Sequence, residues 1–265
     1  MSAQGIYSQL DGHDSIRLLE LTWHENILLC GRLTIVRLHD RLDYVALSYV
    51  WGEKSSDDPT LLLNGHPLQI RASLWQALKE LVTRVNTVRF WIDQVCIDQE
   101  NKTEKGQQVR LMSRIYGRAQ RVIGWLGSHD DDSYLAFSLL LMLGRLSFAK
   151  EPQTDQRWQN PLDVLMKEGN VRSIDDLFNP NRRPIQAAAR LVQRPWFSRL
   201  WIVQEVALAT TLELCCGDAS IPGEVFFRAV QVLSSVVSDP PMPWLLKPYR
   251  NALKLGLLRA QVSAG

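Results

Sequence analysis

The chain reads as an α/β protein, a mainly parallel sheet flanked by helices, with β-hairpin additions and a C-terminal helical segment. Three observations predict this. Short apolar runs at residues 44–50, 88–93 and 121–126 alternate with stretches of helical periodicity. The first of them, Tyr44-Val-Ala-Leu-Ser-Tyr-Val50, is apolar nearly throughout, the pattern of a strand buried on both faces. Polar residues then gather where strands end, with Ser48, Tyr49, Trp51 and Gly52 after one and Asp93 and Asp98 after the next. Parallel sheets bind ligands beyond those carboxyl ends.

Taken in order, residues 16–21 and 27–38 read as a hairpin turning near His24-Glu-Asn26. After the strand at 44–50 comes a polar loop, then strands at 60–63 and 67–70 joined by Asn64-Gly65, a pair suited to a type I′ turn. Ser73-Leu-Trp-Gln76 has the form of a capping box, and Leu74, Leu78, Leu81 and Val85 give the following helix its apolar stripe. The strand at 88–93 leads into a polar loop at 94–101 and a helix at 104–118, with Val109, Met112, Ile115 and Tyr116 at helical spacing. A third strand at 121–126 and an apolar helix at 133–146 follow. Residues 150–184 lose periodicity and read as an insertion with a short helix near 163–167. A helix at 184–193, a strand at 211–216, and helices at 223–237 and 245–262 complete the chain. This organisation divides it into an N-terminal hairpin extension (1–39), a central domain (40–220) and a C-terminal helical segment (221–265).

The composition excludes several function classes. Of 265 residues, 46% are apolar, enough for one sizeable core. Thirty basic and 28 acidic residues leave a net charge of +2 with neither sign massed, which gives no footprint for nucleic acid or a membrane surface. No run approaches the roughly 20 apolar residues of a membrane span, and the N-terminus lacks a signal-peptide pattern. Cys30, Cys96, Cys215 and Cys216 form no Cys-x-x-Cys pair and have no histidine at ligand spacing, so we expect reduced thiols, a cytoplasmic protein and no bound metal.

The most informative stretch is Arg194-Pro-Trp-Phe-Ser-Arg-Leu-Trp-Ile-Val-Gln-Glu-Val-Ala207. Its second half reads as a helix opening near Ser198, on which Trp201 and Glu205 share a face. Glu205 is the only charge between Leu200 and Leu208. A carboxylate in such surroundings must be paired, reach water at a cleft, or hold a raised pKa. An ordinary structural ion pair and a functional carboxylate are both open on these residues alone. Cys96 has nothing in the sequence to activate it and reads as a structural thiol. Trp91 and Trp125 suit core packing, and Arg110, Arg114 and Arg118 a solvated helix face.

Three segments carry a family resemblance. They are Ala46-Leu-Ser-Tyr-Val-Trp-Gly52, then Phe90-Trp-Ile-Asp-Gln-Val-Cys-Ile-Asp-Gln99 continuing through residues 108–127, and finally residues 194–207. In this order they resemble the fungal HET (heterokaryon incompatibility) domain, with Gln94 where a small residue is common and Asp98 where Asn is frequent. Proteins of that family trigger cell death when genetically different fungal cells fuse. The arrangement is also similar to TIR domains, which have a flavodoxin-like sheet: a Ser-Tyr step at Ser48-Tyr49, a strand-ending Asp at Asp93, and a Ser-x-Trp-x-x-x-Glu-like pattern approximated by Ser198, Trp201 and Glu205. The long insertion before that pattern departs from it.

In TIR enzymes that glutamate cleaves the nicotinamide–ribose bond of NAD⁺. The resemblance therefore implies Glu205 as catalytic residue, with Ser48, Tyr49, Trp51, Gly52, Asp93, Asp98 and Trp201 around the substrate. Cleavage develops oxocarbenium-like charge on ribose, which a carboxylate in a partly dry cleft stabilises. No Gly-x-Gly-x-x-Gly or Walker loop is present, so NAD⁺ is expected as substrate and not as a held cofactor. Further expectations are activation by homo-oligomerisation and an incompatibility partner protein. A non-catalytic signalling module on the same fold is the main alternative, and hydrolysis of another nucleotide or glycosidic bond the third.

Overall fold

A computed structural model describes residues 5–24, 28–40, 42–82, 89–130, 132–145, 161–170, 172–173, 176, 179, 182–237 and 243–263. The chain divides into two compact units, residues 1–127 with 208–211, and residues 128–207 with 212–265.

The first unit is built on a mixed sheet. Strands β1 (Ser15–His24) and β2 (Leu28–Arg37) pair antiparallel along their whole length. The expected turn between them lies outside the described residues. β3 (Val45–Ser48) is buried at every position, as its nearly continuous apolar pattern requires. β4 (Thr60–Leu63) and β5 (His66–Gln69) form the short hairpin, and Asn64 and Gly65 turn it with φ of 51° and 80°, both left-handed as a type I′ turn demands. β6 (Arg89–Trp91) and β7 (Arg121–Trp125) complete the order β5-β4-β2-β1-β6-β3-β7. β3 runs parallel to both β6 and β7, and β2 runs parallel to β4. The hairpin β1–β2 joins this core edge to edge, because β1 pairs antiparallel with β6. The α/β expectation therefore holds, with a sheet that is parallel at β6-β3-β7 and mixed beyond it.

Helix α1 (Ala72–Val82) buries Leu74, Ala77, Leu78 and Leu81, while Val85 lies outside the described residues. The stretch expected as a polar loop after β6 instead opens with a short helix, α2 (Asp93–Cys96). Asp93 accepts the backbone N–H of Gln94 (2.8 Å), and Cys96 N–H reaches the Ile92 carbonyl (2.7 Å). The polar residues disguise an apolar inner face in which Val95 and Cys96 are fully buried. Burial pushes the Cys96 thiol up to about 12, so it stays protonated at neutral pH and inert as a nucleophile.

Helix α3 (Lys102–Arg118) starts where Asn101 accepts the Glu104 N–H (3.1 Å). Its buried face begins with polar residues, Glu104 and Gln108, and not with Val109, which is only half-buried. The reason lies on a distant strand: Arg17, 1% exposed on β1, grips both Glu104 oxygens (2.5 and 3.0 Å), and Gln108 donates to Ser15 O (2.8 Å). Trp91 and Trp125 are core residues, Trp91 meeting Tyr116 edge-on at 5.5 Å.

The second unit contains α4 (Ser133–Arg145), α5 (Pro161–Lys167), α6 (Arg183–Leu191), a 3₁₀ turn (Pro195–Ser198), α7 (Ile202–Ala207), β8 (Leu212–Cys216), β9 (Ala219–Pro222), α8 (Gly223–Val237) and α9 (Pro243–Ser263). α4 is apolar almost all round because α5, α6 and α8 all pack on it. β9, which the apolar patterns did not predict, turns back on β8 through Gly217-Asp218. The glycine-led step Gly217-Asp218 straight after the expected strand was its signal.

An ion-pair network holds the start of α4. Arg194 donates to Asp130 (2.9 Å) and to Ser128 O (2.8 Å), Ser133 donates to Asp130 (2.8 Å), and Asp132 accepts from Arg183 and Arg190. Burial raises the Asp130 carboxyl, but the Ser133 hydroxyl and the Arg194 guanidinium outweigh it and hold the group below its ordinary value. A depressed carboxylate stabilises the folded state above the unfolded pKa of about 3.9, and that contribution disappears as pH falls through the lowered value. Urea midpoints measured from pH 6 to pH 3 should therefore fall more steeply below about pH 4 for the wild type than for Asp130→Asn. Parallel curves would show that Asp130 contributes nothing to acid sensitivity.

Candidate functional site

The register of β3 against β6 places Ala46 opposite Trp91, so both strands end side by side. The chain leaves β3 through Ser48 and Tyr49, each 1% exposed, and passes to half-buried Trp51 and exposed Gly52. It leaves β6 through Ile92 into Asp93. The two exits meet in a hydrogen bond from Trp51 Nε1 to Asp93 Oδ2 (2.9 Å). Ser73 Oγ donates to the Trp51 carbonyl (2.7 Å) and Gln99 Nε2 to the Asp93 carbonyl (2.7 Å), fixing both backbones. Tyr49 OH and the Arg71 N–H both donate to Gln94 Oε1 (3.2 and 3.3 Å). Beneath the following loop, Arg71 pairs with the buried Asp58 (2.9 Å), which also accepts the Ser55 N–H (3.2 Å).

Of the residues that the sequence gathers here, Trp51 and Asp93 touch, and Tyr49 joins them through Gln94, whose backbone N–H also bonds Asp93. Asp98 is tied to Glu104 through its backbone N–H (2.8 Å) and caps Glu100 with its side chain (3.1 Å). Sequence reasoning missed the work of Gln94, Gln99, Ser73 and Arg71. Gln94 showed only as an unusual residue at its position, and polar contacts so far apart in sequence leave no periodic trace. The result is a half-buried carboxylate braced through its neighbours, with an indole beside it. Such a pair can bind a sugar hydroxyl or a planar ring. Among the described residues no group of His, Cys, Asp and Glu could hold a metal ion.

Glu205 and Trp201 belong to the second unit. The helix does not open at Ser198: that residue closes the 3₁₀ turn, and its Oγ donates to Pro195 O (2.8 Å). The chain runs extended at Arg199, and α7 starts at Ile202. Trp201 stands just before the helix, 46% exposed, beside Leu200 at 82%. Glu205 is 0% exposed, so the two do not share an environment. Its i−4 link to Trp201 is made by the backbone, Glu205 N–H to Trp201 O at 3.4 Å.

The buried carboxylate is paired. Arg199 donates from both terminal nitrogens, to Oε2 at 2.9 Å and Oε1 at 3.0 Å. This bidentate fork is the strongest form of the ion pair. Its cause is local: Pro195 starts the 3₁₀ turn, and the extended Arg199 lets the chain double back, so that a residue six positions earlier reaches the helix. Of the three fates open to the carboxylate, pairing is the one observed.

A family model for "Heterokaryon incompatibility protein (HET)" matches residues 44–205, from Tyr44 just before β3 to Glu205 itself. The chain belongs to the HET family. The matched span includes the braced Trp51–Asp93 pair and ends on the Arg199–Glu205 pair. The HET domain is also similar to "Heterokaryon incompatibility protein 6, OR allele" of Neurospora crassa, at 30% identity. That alignment covers 82% of this chain and 35% of the relative, so the chain spans about a third of that protein's length. No solved structure matches it. No helix among the described residues is long and apolar enough to cross a membrane.

Proposed function

We propose that this HET domain acts in the cytoplasm as the death effector of a heterokaryon incompatibility protein, and that its activity is hydrolysis of the nicotinamide–ribose bond of NAD⁺, switched on by self-association. The observation that carries this reading is Glu205, a fully buried carboxylate held by Arg199 at the end of the family's matched span. The nicotinamide ring is already cationic while bonded to ribose, so the step asks for a fixed negative charge near the ribose and no strong acid. The order β6-β3-β7 adds support, since the second, first and third strands of the parallel core lie as in a flavodoxin-like sheet.

The second reading, a non-catalytic module that self-associates and recruits partners, is favoured by one specific observation: the Arg199 fork satisfies both Glu205 oxygens from within the chain. The two separate in one experiment. Purified protein is assayed for nicotinamide release from NAD⁺ over a rising concentration series, with a crowding agent, beside Glu205→Gln. The enzymatic reading expects release whose rate per chain climbs with concentration and which vanishes in the variant. Absence of release at every concentration overturns it in favour of the module.

A further inference from the structure

Away from the segments that carry the family match, helices α8 and α9 leave a groove of about 370 Å³ between them, the size of a small-ligand site. One face of α8 supplies Glu224, Phe227, Arg228 and Gln231, at the spacing of successive turns, and α9 supplies Gly256, Arg259 and Ala260. Gly256 is what lets the helices meet at the groove's end: a Cβ there would stand 3.0 Å from Phe227 Cβ. Among the described residues the lining carries two guanidiniums and one carboxylate, a surplus of positive charge. Arg259 is 6% exposed and donates to the Val206 carbonyl (2.8 Å), while its other terminal nitrogen stands 3.8 Å from Glu224, a residue 65% exposed at its side chain. Burial lowers the Arg259 pKa against the raising effect of Glu224, as expected where desolvation exceeds the compensating charge.

We infer that the α8–α9 groove is a binding site for a small organic anion, a carboxylate or phosphate monoester whose apolar body lies against Phe227, Gly256 and Ala260 and whose oxygens meet Arg228 and Arg259. A guanidinium offers a planar fork of donors matched to such oxygens, and Gln231 adds an amide at the same wall. Through Arg259 the site reaches the carboxyl end of α7, the helix that carries Glu205. The inference does not rest on the proposed hydrolase activity, and its test reads binding alone.

Calorimetric titration of the purified chain with phenyl phosphate and with benzoate, beside inorganic phosphate and neutral benzyl alcohol, tests it. One aromatic anion or both should bind one per chain, more tightly than inorganic phosphate, and benzyl alcohol should give no saturable heat. The tighter of the two identifies phosphate or carboxylate as the preferred head. Arg228→Gln, an exposed position, should weaken binding about tenfold or more, the loss of one charged contact, in a chain that still unfolds in one cooperative transition. Arg259→Gln should also abolish binding but lower the unfolding temperature, since it breaks the bond to Val206. No saturable binding of either anion, equal binding of benzyl alcohol, or undiminished affinity in Arg228→Gln overturns the site.

Discussion

Under the proposed hydrolysis, Glu205→Gln is expected to lower nicotinamide release about a hundredfold or more, the loss typical of removing one preorganised charge from a developing transition state. The substitution keeps the side chain's shape and removes its charge. It also alters the fork: the amide oxygen can accept from one Arg199 nitrogen, but the amide NH₂ faces the other as donor against donor. A stability loss is therefore built into the variant, and the unfolding temperature must be measured beside the rate. Arg199→Lys supplies the control, because it also breaks the bidentate geometry yet leaves the carboxylate in place. A folded Glu205→Gln with little activity, beside an Arg199→Lys that retains measurable release, assigns the chemistry to the carboxylate. Full activity in Glu205→Gln removes Glu205 from the reaction and reduces the fork to a structural clasp.

The largest expected stability change lies in the other unit. Arg17→Met should lower the unfolding free energy by about 3–5 kcal/mol, the cost of leaving one partner of a buried ion pair unpaired. Arg17 is 1% exposed, and besides Glu104 it donates to Cys96 O (3.2 Å) and Ser8 O (2.6 Å) and lies over the Tyr7 ring at 5.0 Å. It thus ties the N-terminal segment, β1, the end of α2 and the start of α3. The double variant Arg17→Met with Glu104→Gln should recover much of the loss. It removes the stranded charge, while the new amide oxygen at position 104 can still accept the Asp98 N–H that Glu104 holds at 2.8 Å. Urea denaturation of the single and double variants measures both steps. A single variant within about 1 kcal/mol of wild type would mean the pair is no more than a surface-type bridge.

Much of the fold is legible in the residues because it is written in short-range patterns. The nearly continuous apolar run at β3 announces a strand covered on both faces, and Asn64-Gly65 announces a turn through two left-handed residues. The helix at Gly223–Val237 emerges with its ends in place because periodicity alone sets it. The failures have one form. α2 reads as a polar loop because its buried residues are only Gln94, Val95 and Cys96, too few to show a period. The apolar spacing puts Val109 on the inner stripe of α3, since nothing within that helix reveals that Arg17, 87 residues earlier, draws Glu104 inward.

The candidate site divides along the same line. The residues in order were enough to single out the positions of interest: the family segments, the strand-end place of Asp93, and Glu205 as a lone charge in an apolar helix. What each of them touches came only with the folded chain. Folding set the indole of Trp51 on Asp93, turned Trp201 out to solvent, and closed Arg199 on Glu205. Local sequence sets backbone propensity and the side of an element that faces the core, but the partner of a buried charge depends on where distant chain segments or an extended link bring a complementary group within about 3 Å.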